Sequence, residues 1–190
     1  MILPIVAYGT PVLKKKAVDI TQDYPGLADL IANMFDTMKN AKGVGLAAPQ
    51  VGVSVRLFII DAAPYLDEGE EDKENLTNFR KVFINAQIVD ENGNNWKFNE
   101  GCLSIPNIRE DVERKPKLRI KYLDENFVEH DEKYDGVRAR IIQHEYDHIE
   151  GVLFTDRINP LRKQLLKRKL TDISKGNIDV NYKMKFPLKK

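Results

Sequence analysis

The chain has 190 residues, 42% of them hydrophobic and 31% charged, with a net charge of +1. That much apolar material buries a real core, which excludes a wholly disordered chain and fits one globular domain. A single cysteine, Cys102, excludes an internal disulfide framework and fits a reducing compartment, so a cytoplasmic protein is expected. The apolar opening residues 1–8 lack a basic lead and are too short for a signal core or a membrane span.

In chain order, residues 4–24 mix Pro, Gly, Thr and a Lys14-Lys15-Lys16 run, and read as an irregular arm hugging the surface. Pro25 stands where a first helical residue belongs, and Leu27, Leu30, Ile31, Met34, Phe35 and Met38 follow at helical spacing, predicting an amphipathic helix that stops near Gly43. Its Met and Phe stripe reads as core packing. Gly43-Val44-Gly45-Leu46-Ala47-Ala48-Pro49-Gln50 is then a small-residue loop ahead of a strand over 55–60. It has no phosphate-loop Lys-Ser/Thr and does not run from a strand into a helix, so no nucleotide cofactor is expected. Small residues also let another backbone approach closely. A peptide could lie along this segment, with the Gln50 amide as a donor.

Residues 62–79 are rich in Asp and Glu with few apolar anchors, and read as an exposed, mobile insertion without an assigned function. Residues 82–89 and 96–98 flank Asn92-Gly93-Asn94, a hairpin signal, and residues 118–122 alternate before a turn at Asp124-Glu125-Asn126. These are antiparallel strands. No regular strand-helix-strand alternation occurs, so the fold class expected is α+β, with antiparallel sheets packed around a central motif-bearing helix and a C-terminal helix.

That central helix opens at Asp135 or Gly136 and should stop at Gly151. It carries Gln143-His144-Glu145-Tyr146-Asp147-His148, two of the chain's three histidines around one glutamate. At 3.6 residues per turn, His144 and His148 share one helix face and can offer imidazole nitrogens to a single metal ion, while Glu145 can take a proton from an attacking water. The isoleucines around them predict burial, so these polar groups need partners inside. Asn159-Pro160 then caps a last helix with a Leu166, Leu170, Ile173 stripe, ending near Gly176, and the remaining 177–190 read as a basic, mobile tail after a single catalytic domain at 1–176. Charge is uneven: residues 1–156 sum to −8 and residues 157–190 to +9. The basic end suits contact with nucleic acid or simple solvation equally.

A catalytic tetrahedral site needs a third protein ligand. The extended protease form with a histidine six positions beyond the second motif histidine fails, because Phe154 stands there. A downstream glutamate ligand also fails, since Glu150 is the last glutamate of the chain. Cys102 and His130 remain upstream. Cys102 is preferred, because a metal would hold it as thiolate, whereas His130 sits in a charged run that reads as solvated.

With Gly43–Gln50, Glu100-Gly101-Cys102-Leu103-Ser104 and Gln143–His148 in this order, the chain resembles the peptide deformylases along nearly its whole length. The resemblance implies metal-dependent hydrolysis of the N-formyl group from the initiator methionine of nascent polypeptides, releasing formate. It implies Cys102, His144 and His148 as metal ligands, Glu145 as general base, and the Leu103 backbone N–H and Gln50 side-chain amide as donors to the developing oxyanion. Gly45 and Gly101 would border the substrate backbone, and Val44 and Ile141 would help line the methionine pocket. The family usually employs ferrous iron, with zinc, nickel or cobalt able to substitute. It further suggests docking of the basic last helix on the ribosome. The 62–79 insertion and Arg140, one turn before His144, depart from the family pattern.

Overall fold

The computed structural model describes residues 1–63 and 76–188; most of the acidic stretch singled out in the sequence therefore lies outside the described residues. Nine strands and three α-helices make up the body: β1 (Ile5–Val6), α1 (Leu27–Asn40), β2 (Gly45–Ala47), β3 (Leu57–Asp61), β4 (Arg80–Asn92), β5 (Trp96–Cys102), β6 (Ile105–Arg114), β7 (Lys117–Leu123), β8 (Glu129–Asp135), α2 (Gly136–Ile149), α3 (Pro160–Lys175) and β9 (Met184–Lys185), counted among the described residues. The α+β reading holds. Among the described residues no helix is long and apolar enough to cross a membrane.

The main sheet has the order β2-β3-β4-β7-β8, with every pair antiparallel. Leu57, Phe58, Ile59 and Ile60 of β3 are all fully buried, which a strand achieves only with both faces covered. Phe58 and Ile60 meet Phe83, Ile120 and the Ile141 and Ile142 side of α2. Leu57 and Ile59 face the other way, against Met34 and Met38 of α1. The continuous apolar run is thus explained by two helices, one on each side.

A second, two-stranded sheet pairs β5 with β6. This corrects the hairpin expected across Asn92-Gly93-Asn94: the turn is present, with Gly93 at φ +94, but β4 pairs with β3 and β7, and β5 leaves for a different partner. The turn signal is local, whereas the partner is chosen by inward faces. β6 alternates from Ile105 to Arg114, and its Ile105, Ile108 and Val112 pack on Leu166, Leu170 and Ile173 of α3.

Both ends of the chain differ from expectation. The N-terminal arm does not merely skirt the surface, since Ile5, Val6, Ala7 and Leu13 are buried. The segment expected to be a loose tail after Gly176 contributes β9, which runs parallel to β1 and accepts hydrogen bonds from Ile5 N–H to the Lys183 carbonyl and Ala7 N–H to the Lys185 carbonyl, each 2.9 Å. Its apolar members Ile178, Met184 and Phe186, spaced too irregularly to read as an element, pack against the α3 core. The boundaries of α2 and α3 agree with the expected capping residues, whereas α1 begins at Leu27 after an N-cap at Gly26 and not at Pro25. Asn159 Oδ1 accepts from Leu161 N–H at 2.8 Å, and Gly151 and Gly176 turn the chain at φ +74.

Candidate metal centre and active site

His144 and His148 lie one turn apart on α2, with ring centroids 5.2 Å apart. Opposite them β5 ends in a register shift between Gly101 and Cys102, and this irregularity turns the thiol toward the helix. Cys102 Sγ lies 3.4 Å from His148 Nε2, and ligating atoms of Cys102, His144 and His148 all lie within 4.8 Å of one another. His130 is elsewhere: its Nε2 pairs with Asp124 at 2.9 Å and its ring stacks on Tyr122.

The donor set fits one transition-metal ion. A thiol and two imidazoles suit iron, zinc, cobalt or nickel better than hard cations. Burial pushes the His148 imidazolium well below its ordinary pKa, which favours the neutral ring that metal ligation requires. His144 goes the other way. Burial disfavours its charged form, but hydrogen bonds to Cys102 and Glu100 outweigh it and raise the pKa well above normal. A cation held here takes the place of that proton, as ligation couples to deprotonation.

The imidazole of His144 is aimed by a carboxylate. Glu100, 4% exposed, meets His144 Nδ1 at 2.9 Å, which leaves Nε2 for the Cys102 side. Burial would raise the Glu100 pKa, yet Arg114 and His144 hold it well below the ordinary carboxylate range. Arg114 donates from Nε and Nη2 to the two Glu100 oxygens at 2.7 and 2.9 Å, and from Nη1 to Asp147 at 2.7 Å. Arg157, on the exposed side, adds two bonds to Asp147, so a file of paired charge runs from the surface to behind the candidate ligands. Arg140, noted in the sequence as a departure, joins this file: it donates to Glu100 and to the carbonyls of Val112 and Trp96, and its guanidinium lies 4.7 Å from the Trp96 ring centre.

A cavity of about 660 Å³ opens in front of the centre. Val44, Gly45, Gln50, Gly101, Cys102, Leu103, Ile141, His144 and Glu145 all line it; His148 lies behind them, 1% exposed. Every residue expected at the site therefore gathers in one place. Glu145 is buried, and its Oε2 has no hydrogen-bond partner among the described residues. Burial, opposed by His144 and assisted by the nearby Glu100 and Asp147, pushes its pKa up to about 7. The Gln50 amide is oriented by Ala47 N–H, which donates to Oε1 at 2.8 Å and leaves Nε2 facing Cys102 Sγ and Ser104 Oγ at 3.5 and 3.3 Å.

Glu100, Arg114, Asp147 and Arg157 were not singled out by sequence reasoning. The cavity wall formed by Asp179–Tyr182 was missed as well, because that segment carries no periodic pattern.

A thiol and two imidazoles backed by paired charge and fronted by the buried Glu145 carboxylate define a class, the single-metal hydrolases. The polypeptide deformylase family model matches residues 2–164. Peptide deformylases from Christiangramia forsetii and Flavobacterium psychrophilum are 63% and 56% identical, the first covering 98% of this chain and 97% of the relative, the second all of both. Among solved structures, a peptide deformylase from Legionella pneumophila superposes with a TM-score of 0.80 at 37% identity, covering 93% of this chain and 98% of the other. One from Plasmodium falciparum gives 0.78 at 36%, covering 89% and 94%. The chain belongs to the polypeptide deformylase family.

One glycine at the site has a measurable consequence. A Cβ on Gly45 would sit 2.7 Å from Glu145 Cγ and 2.6 Å from its Cδ, so the position is reserved for the glutamate as much as for any substrate. Gly45→Ala is expected to leave a folded protein by circular dichroism, at an overpacking cost of about 1–3 kcal/mol. Displacing the carboxylate by about an ångström should lower kcat/KM on a formyl-Met peptide roughly 10²-fold. Wild-type turnover in this variant would show that Glu145 is not held by the contact.

Proposed function

We propose that the chain removes the formyl group from the N-terminal formyl-methionine of nascent polypeptides, with Cys102, His144 and His148 holding a divalent ion. The observation that carries this is family membership over residues 2–164 together with the gathering of the three candidate ligands around one point beside Glu145. Such an ion, when bound, supplies Lewis-acid chemistry, polarising oxygen and lowering the pKa of water toward about 7.

The chain's own groups do the rest. Val44 and Ile141 receive the methionine side chain, and Gly45 and Gly101 border the substrate backbone closely enough to align the formyl amide. Glu145, buried and with one oxygen that has no hydrogen-bond partner among the described residues, accepts a proton from the attacking water as the water's oxygen bonds to the formyl carbon. The former carbonyl oxygen gains charge, and the Leu103 backbone N–H and Gln50 Nε2 donate to it. The Ala47 to Gln50 hydrogen bond supports that role, since it keeps the donor end of the amide toward the cavity. Glu145 then passes the proton to the nitrogen as the C–N bond breaks, giving a free α-amine and formate.

Ferrous iron is the proposed native metal, with zinc, nickel or cobalt as substitutes. A soft thiolate with two borderline imidazoles supports iron and zinc alike. Protein prepared without oxygen should carry a single iron per chain and release formate from a formyl-Met peptide while sparing internal peptide bonds. Glu145→Gln should retain the metal and lower kcat by about 10²–10⁴-fold. Undiminished formate release by Glu145→Gln would refute the proton-transfer role, and cleavage of internal bonds would point to a peptidase.

We also propose that α3 docks on the ribosome in the cytoplasm. Lys167, Arg168, Lys169 and Lys175 are exposed on it, together with Leu161 and Leu165 at 67% and 66% exposure. Deleting the helix would strip Leu166, Leu170 and Ile173 from the core, so charge reversal is the cleaner probe. Lys167→Glu/Arg168→Glu/Lys175→Glu is expected to lose co-sedimentation with ribosomes at low salt while keeping full activity on a free peptide. Unchanged co-sedimentation would sink this docking.

A further inference from the structure

Beyond Gly176 the chain returns across the mouth of the site, and residues 179–182 form part of the cavity wall. The Tyr182 hydroxyl donates to the carbonyl of Leu103 at 2.8 Å, a contact between residues 79 positions apart. The tyrosine ring and the Leu103 side chain belong to the same apolar cluster. The segment is fastened on either side of Tyr182. Asn107 Nδ2 donates to the Asp179 carbonyl at 3.2 Å, and the β1–β9 pairing begins at the Lys183 carbonyl. From the other arm, Tyr8 N–H donates to the carbonyl of Ser104 at 2.8 Å. The two carbonyls that follow Cys102 and Leu103 in the turn are thus gripped by the two terminal arms, and the arms are tied to each other.

We propose that Tyr182 is a positioning residue of the active site: its hydroxyl fixes the Leu103 carbonyl, so that the Leu103 N–H and Cys102, which immediately precede it in the chain, keep their aim into the cavity. This rests on the reading of Leu103 as an oxyanion donor. The turn needs such a restraint because the β5–β6 register jumps from Gly101 opposite Arg109 to Cys102 opposite Ile105, leaving Cys102 with one pairing beyond the shift and Leu103 in the turn between the strands. An oxyanion donor acts through placement, and small displacements of it cost rate and not substrate affinity. A residue serving only as a cavity wall would do the reverse.

Tyr182→Phe keeps the ring and removes only the hydroxyl. In the metal-loaded enzyme it is expected to lower kcat on a formyl-Met peptide about fivefold with KM within twofold, in keeping with the loss of one neutral hydrogen bond. Amide hydrogen exchange in a peptide spanning 102–105 should quicken by a similar factor, while α1 exchanges as in the wild type. Unchanged kcat, a rise in KM alone, or exchange that is unaltered at 102–105 or faster throughout the molecule would each overturn the proposal. Failure of the wild type to release formate would instead defeat the deformylase reading, and the exchange comparison would still decide the role of Tyr182.

Discussion

Glu100 is the constraint on which the site depends. A buried carboxylate is tolerated only when its lone pairs are taken by donors, and Glu100 receives Arg114, Arg140 and His144 at 2.7 to 2.9 Å. Removing one partner from such a pair typically costs about 3–5 kcal/mol, because the remaining charge is stranded in a poor solvent. The same contacts that neutralise Glu100 also set the His144 ring. Its Nδ1 is committed to the carboxylate, so its other nitrogen faces Cys102 and His148. Fold stability and the geometry of this proposed ligand are one arrangement here, and neither can be altered alone.

The topology explains how distant segments reach that arrangement. The main sheet and α1 form the bed on which α2 lies with its polar edge upward. β5 and β6 stand apart from this sheet and bring Glu100, Cys102 and Arg114 over that edge from above. The Cys102–Ser104 turn is held from outside its own two strands: Gln50 reaches Cys102 and Ser104, the N-terminal arm reaches Ser104 and the C-terminal arm reaches Leu103. The active site is consequently clamped by the two ends of the chain.

Much of this was legible in the residues. His144 and His148 at helical spacing, with Asp135 before them and Gly151 after, mark both the helix and its ligand face, and the missing downstream ligands direct attention to Cys102. The partnership of β5 was not legible, because a turn such as Asn92-Gly93-Asn94 specifies a reversal and not which strand lies beside it. Glu100 and Arg114 were hidden for a related reason. An inward charge on a strand looks like a solvated one until its partner is known. Residues 177–188 were misread since a two-residue strand and scattered apolar contacts have no period to detect.

The central claim is that one sulfur and two imidazoles from this chain hold the catalytic metal. X-ray absorption at the metal edge of the loaded protein reads that set directly. The account predicts one sulfur and two imidazole nitrogens in the coordination shell, with the sulfur contribution lost in Cys102→Ser. A shell of nitrogen and oxygen alone in the unaltered protein, or a sulfur signal that survives the substitution, would contradict it.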